Sequence, residues 1–173
     1  MSRYNIFNAV HKALRTILYD TATLLQQTNF METAEAETAF EKVREVVDVF
    51  KLHAAQEKEY VWPAIQRYEP SIADLFQQEH EKDPAMGEGL LGLIVVYRHA
   101  IKAGVKIETG QAINRAFTGF LIVNLGHMAR EEAVLNKILW RYYSDRELGE
   151  ISSELLTVSR GPVVGTASAF DGL

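Results

Sequence analysis

Four stretches of this chain repeat apolar residues at steps of three and four, and each of the four stripes carries a histidine. That spacing lines apolar side chains along one face of an α-helix, and no stretch shows the step of two that a half-buried strand requires. The first stripe, over 5–27, runs Phe7, Val10, Leu14, Ile17, Leu18, Leu24 and Leu25, with His11 beside Val10. The second runs Ala36, Ala39, Phe40, Val43, Val46, Val47 and Phe50, then His53, Ala54, Glu57, Tyr60, Val61 and Ala64. The third is Ile72, Leu75, Phe76, His80, Leu90, Ile94, Tyr97 and Ile101. The fourth is Ile113, Ala116, Phe117, Phe120, Asn124, His127, Glu131, Val134, Leu135, Ile138 and Tyr142. Imidazole and carboxylate are costly on an apolar face unless something offsets their desolvation. The pattern predicts an all-α chain with a polar centre inside it.

Punctuation between the stripes sets the connections. Thr28-Asn29-Phe30 breaks the first helix, and Thr33 is placed to cap the second, with Glu35 and Glu37 in its first turn. Pro63 kinks or restarts helix two, Glu69-Pro70-Ser71 closes it, and Ser71 is predicted to cap helix three. Asp83-Pro84 and the glycines Gly87, Gly89 and Gly92 make helix three the least regular. A loop over 103–110 leads to the fourth. Helices of about 25–35 residues with short connections predict an up-down-up-down four-helix bundle. It occupies 1–144; the remaining 145–173 are predicted to form a short helix and a flexible tail.

Bulk properties exclude several functions. The formal net charge is -5 and Lys and Arg are scattered, so there is no basic footprint for nucleic acid. The longest apolar run, 90–97, is far short of the ~20 residues that span a bilayer, and the opening lacks the apolar core of a secretory signal. The absence of cysteine removes disulfides, thiolate metal sites, iron–sulfur clusters and thiol catalysis, and fits a reducing compartment. A cytoplasmic protein with neither nucleic-acid nor membrane partner is expected; a protein partner is not legible.

A helix advances 1.5 Å per residue, so the ligands of one site must share one depth. Counted from the turns near residues 30, 70 and 105, His11, His53, His80 and His127 fall in one layer. His99 lies 19 residues beyond His80, roughly 28 Å along a helix, and is predicted to be exposed or capping. His53-Ala-Ala-Gln-Glu57 and His127-Met-Ala-Arg-Glu131 each place an imidazole and a carboxylate one turn apart on one face. Two such pairs can supply two bridging carboxylates to a two-metal centre, with His11 and His80 completing the imidazole set. Four imidazoles and two carboxylates suit iron or manganese, with zinc less favoured, and the lack of thiolate argues against copper(I). The Glu-x-x-His spacing of ferritin-like bundles is absent, because Asn8, Phe50, Gln77, Val96 and Asn124 stand three residues before the histidines.

The single His11, the run His-Ala-Ala-Gln-Glu-Lys-Glu-Tyr-Val-Trp-Pro from His53, Glu79-His80-Glu81, and His127-Met-Ala-Arg-Glu-Glu resemble the hemerythrin family. More narrowly, they resemble its bacterial cation-binding (HHE) branch, over roughly residues 5–143. The resemblance implies a non-haem di-iron centre bridged by Glu57 and Glu131, with His11, His53, His80 and His127 as terminal ligands. It implies dioxygen, peroxide or nitric oxide as the small-molecule partner. Oxygen-carrying members keep a second helix-three histidine four residues after the first, where this chain has Pro84. One imidazole fewer leaves more room for water, anions or oxidants, and shifts the expectation from oxygen carriage towards sensing, oxidant chemistry or iron handling. Beside binding or sensing stand two alternatives: iron storage, iron sensing or peroxide consumption, and a metal-stabilised helical interaction module.

The residues around the six ligands have their own readings. Asn124, one turn before His127, either orients a ligand or bound water from behind or is an ordinary buried amide. Glu132 is predicted to point outward, and Glu79, Glu81 and Asp83 to form a solvated acidic face. Gly87-Glu-Gly-Leu-Leu-Gly92 matches a dinucleotide-binding fingerprint but lacks the strand before it, and is read as coincidence.

Overall fold

The structure, a computed structural model, describes residues 3–80 and 83–157, with side chains throughout except at 79, 80, 83, 84, 156 and 157. The described residues are helical and contain no strand. The elements are α1 (Asn8–Gln27), α2 (Thr33–Gln56), a π-helical turn (Glu57–Val61), α3 (Trp62–Gln66), α4 (Pro70–His80), α5 (Asp83–His99), α6 (Ala103–Tyr142) and α7 (Asp145–Thr157). Among the described residues the expected count of four is corrected upward: helix two is interrupted, and helix three is described as two elements on either side of residues 81–82. Pro63 lies in the first turn of α3, where its ring would press on the carbonyl of Glu59. The chain widens ahead of it, and Trp62 N–H reaches back five residues to the Glu57 carbonyl.

Several helix ends also differ from the sequence reading. Thr33 is the first helical residue and caps nothing; its hydroxyl oxygen accepts from Lys106 Nζ at 3.2 Å. Ser71 lies inside α4, which opens on Pro70, where a missing N–H costs nothing. The expected loop over 103–110 is helical and belongs to α6. Ile101 falls beyond α5 and is 97% exposed, while Leu75 and Tyr142 are also exposed. The predicted short helix is α7, opened by a reciprocal capping box: Ser144 N–H donates to Glu147 Oε2 at 2.8 Å, and Glu147 N–H to Ser144 Oγ at 3.4 Å. The expected flexible tail lies outside the described residues.

Packing brings α1 against α2 and α6, and α5 against α2 and α6. Buried apolar residues form two clusters. One joins Val10, Leu14 and Leu18 to Phe40, Val43, Val47, Phe50, Leu90, Ile94, Phe117, Phe120 and Met128. The other joins Ile6 and Phe7 to Val61, Trp62, Ile65, Phe76, Leu135, Leu139, Leu148 and Leu155. Along α1, α2 and α6 the polar residues His11, His53 and Glu131 fall between members of the two clusters. A polar layer therefore divides the core.

The residues before α1 set its register. Arg3 donates to the carbonyls of Trp140 at 2.8 Å and Tyr143 at 2.6 Å and to Asp145 at 2.7 Å, and Trp140 Nε1–H returns a bond to the Tyr4 carbonyl. Asn5 Oδ1 accepts from Phe7 N–H at 3.0 Å and from Asn136 Nδ2 at 2.8 Å. These bonds pin the start of α1 to the end of α6, and so set His11 opposite Glu131 and Glu132. Among the described residues no helix is long and apolar enough to cross a membrane.

Close packing at the far end offers a direct check. Gly110 is buried, and a Cβ there would run into the ring of Phe30. That ring sits between Phe40 and Tyr97, and Tyr97 Oη donates to the Phe30 carbonyl at 2.6 Å, so it has little room to yield. Gly110→Ala is expected to lose about 1–3 kcal/mol to overpacking, against roughly 1 kcal/mol gained in helix propensity. Urea unfolding should show a net loss. Gly104→Ala, with nothing within 4 Å of its Cβ, should show a net gain.

Candidate metal centre

Four side chains from α1, α2, the π turn and α6 converge at the seam between the two apolar clusters. His11, His53, Glu57 and Glu131 each offer a ligand atom, and these atoms lie within 4.8 Å of one another. All four are buried, and His11, Glu57 and Glu131 are 0% exposed. His11 Nε2 stands 3.5 Å from Glu131 Oε2 and 3.9 Å from Glu57 Oε1. His53 Nε2 stands 3.2 Å from Glu57 Oε1. The four are close enough to bind a metal.

His127 joins the group through Glu131, whose Oε1 lies 2.8 Å from His127 Nε2. Glu131 thus turns one oxygen to His127 and the other to His11, the disposition a bridging carboxylate needs. Glu57 Oε1 faces both His11 and His53. The His80 side chain lies outside the described residues, as do those of Glu79, Glu81, Asp83 and Pro84. His99 is exposed, with Nδ1 2.8 Å from the Val95 carbonyl, a bond within its own helix. Asn124 is buried and donates from Nδ2 to the Phe120 carbonyl at 2.8 Å. It also borders a cavity of about 40 Å³ whose walls include His53, His127, Val47, Phe50, Phe120 and Met128.

The chemistry of the group fits a cation. Neither ring nitrogen of His53, nor Nε2 of His11, makes a hydrogen bond among the described residues. A buried polar group left so costs about 1–3 kcal/mol. A metal ion takes nitrogen lone pairs and carboxylate oxygens together and removes that cost. Burial alone would lower the pKa of His11, but the Glu132 hydrogen bond and the Glu57 and Glu131 carboxylates outweigh it and raise it above the ordinary value. The carboxylates therefore favour positive charge at this point, which a bound cation would supply.

Glu132 is the residue that the sequence reading misplaced. Its side chain is 28% exposed, yet its Oε1 accepts from Arg15 Nη2 at 2.7 Å and lies 2.9 Å from His11 Nδ1. Those contacts hold its carboxyl below the usual range, the His11 bond first and Arg15 next, against the opposing effect of partial burial. The available signal was Arg15, one turn after His11 on the same helix and in need of an anion. No protein-family model and no curated protein matches this chain. What speaks for a metal-binding helical protein is the convergence of its own buried histidines and glutamates.

Proposed function

We propose that this chain is a hemerythrin-like four-helix bundle that holds two iron ions and binds or senses dioxygen, peroxide or nitric oxide. The observation that carries the proposal is the buried convergence of His11, His53, Glu57 and Glu131. In this reading Glu57 and Glu131 would bridge the ions, His11, His53, His80 and His127 would be terminal ligands, and Asn124 would orient what enters beside them. Iron held there would supply reversible redox chemistry.

The protein's own contribution is selection and shielding. The cavity beside His53 and His127 exceeds the roughly 10–15 Å³ that one water needs, yet it is far below the ~300 Å³ of a drug-sized pocket. Its largely apolar walls suit a diatomic, and His53, His127 and Asn124 among them offer polar contacts to a peroxide. Lys51, also on its lining, pairs with Glu88 of α5 and so links α2 to α5 beside the cavity. The absence of cysteine suits a cytoplasmic setting.

A second reading, iron sensing, draws on α7, which packs against the π turn that carries Glu57. Metal bound at Glu57 would then reach the surface through α7. One experiment separates the readings. Protein expressed in iron-replete cells should hold close to two iron or manganese ions per chain, and His99→Ala should hold as many. The optical spectrum, recorded after anaerobic reduction and again in air, should change and return on re-reduction if the centre takes oxidants. Metal content without any air-dependent spectrum would favour iron handling. No metal at all, or metal lost in His99→Ala, would sink the centre as drawn.

A further inference from the structure

We propose that Glu132, clamped by Arg15, is the positioning residue that fixes the ring of His11 and presents Nε2 to the metal. The inference rests on the metal-centre reading and assigns part of its stability to a carboxylate that is not itself a ligand.

The geometry is specific. His11 is wholly buried, with Nε2 turned to Glu131 and Glu57 and Nδ1 turned to Glu132. A ring rotated by 180° about its Cβ–Cγ bond would take Nδ1 away from Glu132 and Nε2 away from the carboxylates. Phe7 stacks on the imidazole, with centroids 4.9 Å apart and planes 20° from parallel, and sets the ring plane without choosing between the two orientations. Only a polar partner makes that choice, and Glu132 is placed to make it. Arg15 Nη2 donates to the same Oε1, so the carboxylate is tied to α1 through two side chains. Metal ligation by Nε2 requires the proton on Nδ1, and an ionised carboxylate behind that N–H fixes the tautomer and strengthens the imidazole as a donor.

His53 marks the contrast, since its Nδ1 has no hydrogen-bond partner among the described residues. The two imidazoles that face Glu57 therefore differ: one is backed by a carboxylate and the other is not. His11 becomes the more basic ligand, and the end of the site it serves should hold its ion more tightly.

The test uses the full chain and zinc, which is diamagnetic and redox-silent. Glu132→Ala, Glu132→Gln and the unaltered protein are stripped and titrated with zinc at pH 8 against a chromophoric chelator. The His11 ring is followed by long-range proton–nitrogen NMR. Glu132→Ala should weaken zinc about 10–100-fold and lose the slowly exchanging His11 Nδ1–H resonance. Glu132→Gln keeps an acceptor without the charge, so it should retain that resonance, shifted upfield, and lose less affinity. A merely structural role would lower the melting temperature of both stripped variants and leave the zinc-loaded ring signal unchanged. Affinity within twofold of the unaltered protein, or an unchanged Nδ1–H in both variants, overturns the proposal. Failure of the unaltered protein to take up zinc, iron or manganese overturns the metal-centre reading, and this inference with it.

Discussion

Glu131→Ala is expected to leave the protein essentially without metal. Glu131 is 0% exposed and turns one oxygen to His127 and the other to His11. Its loss therefore takes a carboxylate away from two imidazoles together. Removing a supporting residue typically weakens metal by about 10–100-fold, and removing a carboxylate that would itself hold the metal should exceed that. Glu57→Ala should act similarly, since Glu57 Oε1 faces His53 and His11. Glu131→Gln, close in shape, serves as the folding control: it should keep the helical circular-dichroism signal and still lose metal by elemental analysis. Unchanged metal content in Glu131→Gln and Glu131→Ala would remove Glu131 from the centre.

Much of this layer is legible in the sequence because helices convert residue number into length. A fixed rise per residue places His11, His53 and the two His-x-x-x-Glu pairs at one depth once the turns are located. The structure brings His11, His53, Glu57 and Glu131 together as that counting expects, and leaves His99 exposed at the end of α5. The connections were read less well. The π turn arises from the contest between Pro63 and the carbonyl four residues before it, and a proline in a helical pattern announces a disturbance without saying how the backbone absorbs it. The first turns of α6 are helical where a loop over 103–110 is expected. Gly110 is there to admit Phe30, a long-range contact that no local pattern shows.

Glu132 was misread for a geometric reason. A residue directly after a ligand lies 100° around the helix, which usually means solvent. Here α1 packs on that flank of α6 and brings His11 and Arg15 to it. Helical phase fixes the direction in which a side chain leaves its own helix. It does not report which neighbour waits there, and the fine tuning of a buried site depends on neighbours.

Removing metal from the full chain should lower its melting temperature by about 8–16 °C. An ion held at a thousand times its dissociation constant stabilises the folded state by about 4 kcal/mol, and each kcal/mol moves the midpoint by roughly 2–4 °C at this size. The more telling outcome concerns the stripped protein. Glu57 and Glu131, both 0% exposed, then lie in one layer beside His11, His53 and His127. Replacing a whole buried charged set with apolar residues of similar volume is often neutral or stabilising by about 1–4 kcal/mol, whereas removing one partner alone costs about 3–5 kcal/mol. The triple replacement His11→Leu, Glu131→Met and His127→Leu is therefore expected to melt at or above the stripped unaltered protein, while gaining nothing when iron or zinc is added back. Glu131→Met alone should melt below it. If the triple replacement instead melts well below the stripped unaltered protein, the layer is a structural polar network that holds the bundle together. A set of residues kept for metal should weaken the empty fold and strengthen the filled one, and calorimetry on these proteins, with and without metal, measures both.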